Sequence, residues 1–211
     1  FKTRYQKTSI WITMDNYHYI IAGLPELIPD LGNQQISYAD VSERIISNLS
    51  SKDRQLVKWF EFGSKPENLN PHFYHNVKRL KSRFLNEYFS LDRNIRNAQV
   101  RFLASKESFD ESKYTIGDVD TSYEEYPQLL QIFETPNIFE RELQLDKFKW
   151  NKISDLTMYH YFDMDVILAF LAKAKIVKRW LDLDKESGAK LFEELVNEVR
   201  GTFKGINFNS K

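Results

Sequence analysis

Apolar positions through the middle of the chain recur at a helical interval. Phe73, Val77, Leu80, Phe84, Tyr88, Leu91, Ile95, Ala98 and Phe102 are separated by steps of three and four residues. The mean step is about 3.6 residues, the period of an α-helix. A long helix near 72–104 is therefore expected, although Ser90-Leu91-Asp92 could instead cap a second helix near 90. The carboxyl part behaves similarly. Val166, Ile167, Phe170, Leu171, Ala174, Val177 and Trp180 form one stripe, begun at an Asp163 cap. Leu191, Phe192, Leu195, Val196, Val199 and Phe203 form another, begun near Asp184 and closed by Gly201. Ser37 with Asp40, and Ser50 with Asp53, resemble helix starts, because a serine oxygen satisfies the orphan amides of a first turn. The segment from Tyr17 to Leu24 is apolar but too short to separate strand from helix. Strand-like alternation is absent over any useful length, so the expected fold is an all-α helical bundle.

Prolines 25, 29, 66, 71, 127 and 136 divide the chain, and none follows. The expected organisation is an extension over 1–13, a helical unit over 14–106, an acidic connector over 107–136 and a second helical unit over 137–205. The two units would together form a single compact domain or remain separate. Residues 1–13 are read as an extension because Met14 opens the patterned segment. Laying the units over each other at an offset of 73 residues aligns Tyr88-Phe89 with Tyr161-Phe162 and Asp92 with Asp165. Either a duplicated unit or two helical hairpins burying the same faces would produce that signal.

The chain has 211 residues, of which 42% are hydrophobic, with 16 Phe, 11 Tyr and 4 Trp. That supply of core residues argues against disorder as the main state. Cysteine is absent, which excludes disulfides, thiol nucleophiles and cysteine-ligated metals and suits a reducing compartment. No apolar run reaches the ~18–20 residues of a membrane span. Thirty basic and thirty acidic residues sum to zero charge, but the zero conceals a sorting. Residues 71–106 carry a net charge of +6 and residues 107–126 a net charge of −6.

Catalytic constellations are weak. His72 and His75 fall short of a zinc ligand set, and His18 and His160 are isolated. Asp-x-Asp occurs at Asp118-Asp120, Asp163-Asp165 and Asp182-Asp184; the last two precede apolar stripes, where helix capping explains them better than cation binding. The seven glycines form neither a phosphate loop nor a nucleophile elbow. Neither an enzyme, a metal nor a cofactor is expected. Nucleic-acid binding through the basic helix 78–101 is the alternative, because Lys and Arg interleave with Phe73, Tyr74, Phe84, Tyr88 and Phe89. Those aromatics fall mostly on the apolar stripe, which core packing also explains.

Two stretches resemble a known family. Tyr17-His18-Tyr19-Ile20-Ile21-Ala22-Gly23-Leu24-Pro25 resembles the aromatic-aliphatic opening of a small, uncharacterised bacterial family encoded beside the subunits of V-type (A/V-type) ATPases. Leu145-Asp146-Lys147-Phe148-Lys149-Trp150 through Tyr161-Phe162-Asp163-Met164-Asp165 to Arg179-Trp180-Leu181-Asp182-Leu183-Asp184 resembles its second half. The family is in turn similar to the C-type (in eukaryotes d-type) central-stalk protein of these ATPases, an all-helical protein that links the rotor shaft to the membrane ring. Leu91 to Arg96, and Glu142 with Leu145, Asp146 and Trp150, resemble helices of that stalk protein. The chain is shorter than the stalk protein, which implies a missing unit.

The resemblance implies a non-catalytic connector at the cytoplasmic, inner face of a membrane, holding the shaft and ring proteins of the ATPase as partners through protein contacts. Partner contacts are expected at Lys78, Arg79, Arg83, Arg93, Asn94, Arg96 and Arg101 on the basic face, and at Asp118 and Asp120 on the acidic one. Complementary charge there would set orientation and register.

Overall fold

The computed structural model describes residues 17–29, 36–117 and 123–203, with side chains described up to 183. Its helices are α1 (Tyr17–Ala22), α2 (Tyr38–Asn48), α3 (Ser51–Gly63), α4 (Pro71–Val77), α5 (Arg83–Glu107), α6 (Tyr126–Glu134), α7 (Ile138–Leu156) and α8 (Met164–Phe203). Short 3-10 turns occupy Pro66–Asn68 and Glu111–Lys113, and no strand occurs among the described residues. The fold is an all-α bundle, and the entry segment is a helix. Residues 1–13 lie outside the described residues.

Side-chain caps fix several boundaries where the sequence places them. Ser37 Oγ accepts from the Asp40 amide at 3.3 Å, and Ser50 Oγ from the Asp53 amide at 3.2 Å. Asp163 Oδ1 accepts from the Val166 amide at 3.1 Å at the start of α8. Each satisfies a donor that the first helical turn leaves without a partner.

The long central helix is interrupted, but not near 90. The break lies at residues 78–82, where the Arg79 amide reaches Asn76 O at 3.0 Å and the Leu80 amide reaches Val77 O at 2.9 Å. These tightened turns end α4. Ser82 then caps α5, its Oγ accepting from the Leu85 amide at 3.3 Å. The apolar spacing hides the break because Leu80 and Phe84 still face the core across it. Asp92, the alternative cap, lies inside α5 and binds the Arg96 guanidinium and the Tyr74 hydroxyl. Likewise Asp184 starts no helix, because α8 runs unbroken from Met164 to Phe203, through Gly201. The second stripe, Leu191 to Phe203, lies beyond the described side chains.

The main core joins residues from both halves of the chain. Val57, Phe60, Phe84, Leu85 and Phe89 pack with Ile153, Ile167, Leu168, Leu171 and Val177. A second cluster joins Ile95 and Ala98 of α5 to Leu129, Ile132 and Phe133 of α6 and to Leu145 and Phe148 of α7. Neither cluster is confined to 14–106 or to 137–205. The 73-residue offset also aligns unlike places: Phe89 is buried within α5, whereas Phe162 is exposed in the turn between α7 and α8.

Gly63 ends α3 against the core. A Cβ there would lie 2.2 Å from Phe73 Cζ and 2.5 Å from Phe89 Cζ, so a hydrogen is what lets α3 approach this edge-to-face ring pair.

Candidate partner-binding surface

Arg83, the first residue of α5, ties three elements together. Its Nη2 donates to Leu156 O at 2.5 Å and lies 2.7 Å from His160 Nε2 and 3.5 Å from Asp165 Oδ2. Its Nη1 lies 3.3 Å from Glu87 Oε2, one turn along α5. A guanidinium can only donate, so His160 Nε2 accepts from it, and Nδ1 carries the proton directed at Asp163 Oδ2. Asp163 thus caps α8 through one oxygen and holds His160 through the other. Burial and then the neighbouring Asp163 charge push the Asp165 carboxyl above its usual range, against the opposing pull of Arg83 and His160.

Beside Arg83 opens a cleft of about 420 Å³ between α5 and α7, lined among others by Glu87, Asn94, Glu125, Lys152 and Asp155. Lys152 Nζ lies 2.8 Å from Glu125 Oε1 across it. Burial raises the Glu125 carboxyl, but the Lys152 hydrogen bond, a backbone amide hydrogen bond and the Lys152 charge together outweigh burial and leave it below its usual range.

The expected contact residues do not share one face. At roughly 100° per residue, Arg83, Asn94 and Arg101 lie within about 20° of one another on α5, while Arg96 points about 140° away. Arg83 and Asn94 both line the cleft. Arg101 pairs with Glu111 at 3.0 Å, the only pair among the described residues joining the basic helix to the acidic connector. Arg96 pairs with Asp92 at 2.8 Å. Among the described residues, Arg93 Nε and Asn86 Oδ1 are buried with no hydrogen-bond partner, and both residues line one small cavity between α4 and α5. Lys78 and Arg79 are exposed at the break between α4 and α5. Asp118 and Asp120 lie outside the described residues. Phe73, Tyr74, Phe84 and Phe89 are all buried, so they offer no ring face to a base.

Sequence reasoning missed the exposed apolar side chains at the two ends of the α7–α8 pair. Ile138, Phe139 and Leu183 are exposed at one end, where the Phe139 ring meets Trp180 edge to face at 5.2 Å. Met158, Tyr159, Tyr161 and Phe162 are exposed at the other. The legible signal was an aromatic run just before the Asp163 cap, in a stretch that interrupts the helical spacing. Among the described residues, no helix is long and apolar enough to cross a membrane.

No curated protein and no solved structure matches the chain. A family model described as "Protein of unknown function (DUF2764)" matches residues 14–70 and 117–202, more than half of the chain. These stretches contain both segments that carry the sequence resemblance and the exposed turn at 158–162, and they leave out α4 and α5 with the whole basic helix. The chain belongs to the DUF2764 family.

Proposed function

We propose that this chain is a non-catalytic helical connector of a V-type ATPase, joining the central rotor shaft to the membrane ring at the inner, cytoplasmic face of the membrane. One observation carries the reading most: the α7–α8 pair exposes apolar side chains at both ends, Ile138, Phe139 and Leu183 at one and Met158 to Phe162 at the other. The ends are about 27 Å apart along α7 at ~1.5 Å per residue. A connector needs two such contact surfaces held at a fixed separation.

The stretch from Leu145 to Leu183, which carries much of the resemblance to the ATPase-linked family, forms most of this pair. Its stiffness has a visible source. Buried Asp146 of α7 accepts from Trp180 Nε1 at 2.9 Å and lies 3.0 Å from Arg179 Nη2, and Arg179 also reaches Glu142 at 3.0 Å. On α8, Lys175 binds Glu61 of α3 at 2.8 Å, and Tyr38 of α2 donates to the same carboxylate. Transmitting torque requires packed helices cross-linked in this way and no reactive side chain.

Affinity capture of the tagged full chain from native membranes tests the reading. Recovery of the ATPase shaft and ring proteins, reduced when Phe139 and Ile138 are changed to Ser, is the expected result. Intact native ATPase that contains no copy of this chain would sink it.

A further inference from the structure

The turn between α7 and α8 exposes four large apolar side chains within five residues: Met158 (57%), Tyr159 (83%), Tyr161 (69%) and Phe162 (52%). Single exposed apolar residues are ordinary, but a contiguous group marks an interaction surface. The backbone beneath them is held. The Met158 amide reaches Asp155 O at 3.3 Å, and the His160 amide reaches Thr157 O at 3.0 Å. The α5–α7 cleft adjoins this turn, because Arg83 lines the cleft and also binds Leu156 O and His160.

The charge at this end is acidic. The single guanidinium of Arg83 is set against Glu87 and Asp165, Asp163 is bound to His160, and the cleft adds Asp155. Lys152 and Glu125 cancel across the cleft. Even with exposed Lys81, two residues before Arg83, these five carboxylates outnumber three cations. Asp163 has a structural reason to be there, since it caps α8. Asp155 has none. It lies in the last turn of α7, where helix carbonyls disfavour a carboxylate, and that turn holds no basic residue. Its carboxylate is exposed and has no ion-pair or hydrogen-bond partner among the described residues. The side chains of Ser90 and Asn94, which line the same cleft, are likewise without a partner among the described residues. An acid placed against the local rule, with no offsetting contact in its own chain, points to a cation from outside.

We propose that this end of the bundle docks an arginine-bearing segment of a partner protein. Apolar side chains of the segment cover Met158 to Phe162, and its guanidinium enters the α5–α7 cleft to pair with Asp155 and donate to the side-chain oxygen of Asn94. Arginine fits better than lysine, because its planar fork meets a carboxylate through two parallel N–H groups and its face stacks on tyrosine rings. Arginine is also enriched, and lysine depleted, in protein–protein interfaces. Complementary charge of this kind speeds encounter and fixes register. The inference rests on the reading of this end as a protein contact and names the chemistry of the partner there.

Photo-crosslinking tests it. The full chain carrying p-benzoylphenylalanine in place of Tyr159 is irradiated in intact cells, and the cross-linked peptides are sequenced by mass spectrometry. A partner peptide with an arginine within a few residues of the cross-link is the expected result. Asp155→Asn should weaken capture of that protein roughly tenfold, and Asp155→Arg should weaken it further. Changing the partner's arginine to aspartate should restore capture by the Asp155→Arg chain. Because Asp155 is exposed and opposes the helix dipole, an unchanged or slightly raised urea midpoint verifies that both variants fold. Absence of any protein cross-link at position 159 overturns the proposal, as do a cross-linked segment without arginine and undiminished capture by Asp155→Arg. Recovery of ATPase proteins that depends on Ile138 and Phe139 alone, with no cross-link at 159, removes this proposal and leaves the connector reading. An arginine-bearing segment from a protein outside the ATPase, with no ATPase protein recovered, leaves this proposal standing and removes the connector reading.

Discussion

The indole N–H of Trp180 donates a 2.9 Å hydrogen bond to Oδ2 of Asp146, and both residues are buried where α7 packs on α8. The same oxygen lies 3.0 Å from Arg179 Nη2, and Lys149 Nζ lies 3.8 Å from Oδ1. A buried carboxylate is tolerated only when its oxygens are partnered this fully.

Asp146→Ala should therefore cost about 2–4 kcal/mol, because it strands the Trp180 N–H in the core and removes the partner of Arg179. Asp146→Asn keeps an acceptor of the same shape and should cost only about 1 kcal/mol. Urea unfolding reads both values, and equal midpoints for the two variants would show that the carboxylate oxygen is not what holds Trp180.

Gly63→Ala reverses the usual sign of that substitution. A helical glycine replaced by alanine normally gains about 0.5–1 kcal/mol. Here the new methyl would sit 2.2 Å from Phe73 Cζ and 2.5 Å from Phe89 Cζ, so two core rings must move. Overpacking of this kind costs about 1–3 kcal/mol, and a lower thermal midpoint is expected. A raised midpoint would mean that the ring pair yields freely.

Ser108 closes α5 in the left-handed region, with φ 55° and ψ 42°. A side chain there costs about 1 kcal/mol or more, while glycine brings extra entropy to the unfolded chain. Ser108→Gly should stabilise by roughly 0.5 kcal/mol, and Ser108→Val, whose branched side chain fits this region worst, should destabilise. Thermal unfolding of the pair gives the order directly.

Asp165 makes stability depend on pH with a definite sign. Asp163, Arg83, His160 and Glu87 face its carboxyl, and burial together with Asp163 raises it above the unfolded value. A raised carboxyl favours the folded state less once it ionises, so this cost appears as pH rises from the usual carboxylate range through the folded value. Asp165→Asn should gain on the parent chain over that interval and remain level above it. Urea midpoints measured from acidic to neutral pH check the slope; a gain that grows instead on acidification would contradict it.

Helix type and several boundaries were legible because they rest on local interactions. The spacing from Phe84 to Phe102 reflects the face of α5 turned to the core, and the caps at Ser37, Ser50 and Asp163 act within three residues of themselves. The break at 78–82 escaped notice because Leu80 keeps its inward position through a turn that costs only a few hydrogen bonds. The direction of the charges also escaped. Net charge along the chain identifies a basic segment, but the partners of Arg83 come from α7, α8 and the turn between them.

By itself, the sequence determined the helical class, the apolar stripes and the charge sorting, because periodicity and capping are set by residues a few positions apart. It also carried the stretches that place the chain in its family. Only the tertiary structure decided that Asp146 would be buried against Trp180 and that Met158 to Phe162 would remain outside. Burial depends on which helix arrives from a distant part of the chain. α8 covers Asp146, whereas the turn stays largely exposed even with His18 stacked on Phe162, a difference that no local pattern encodes.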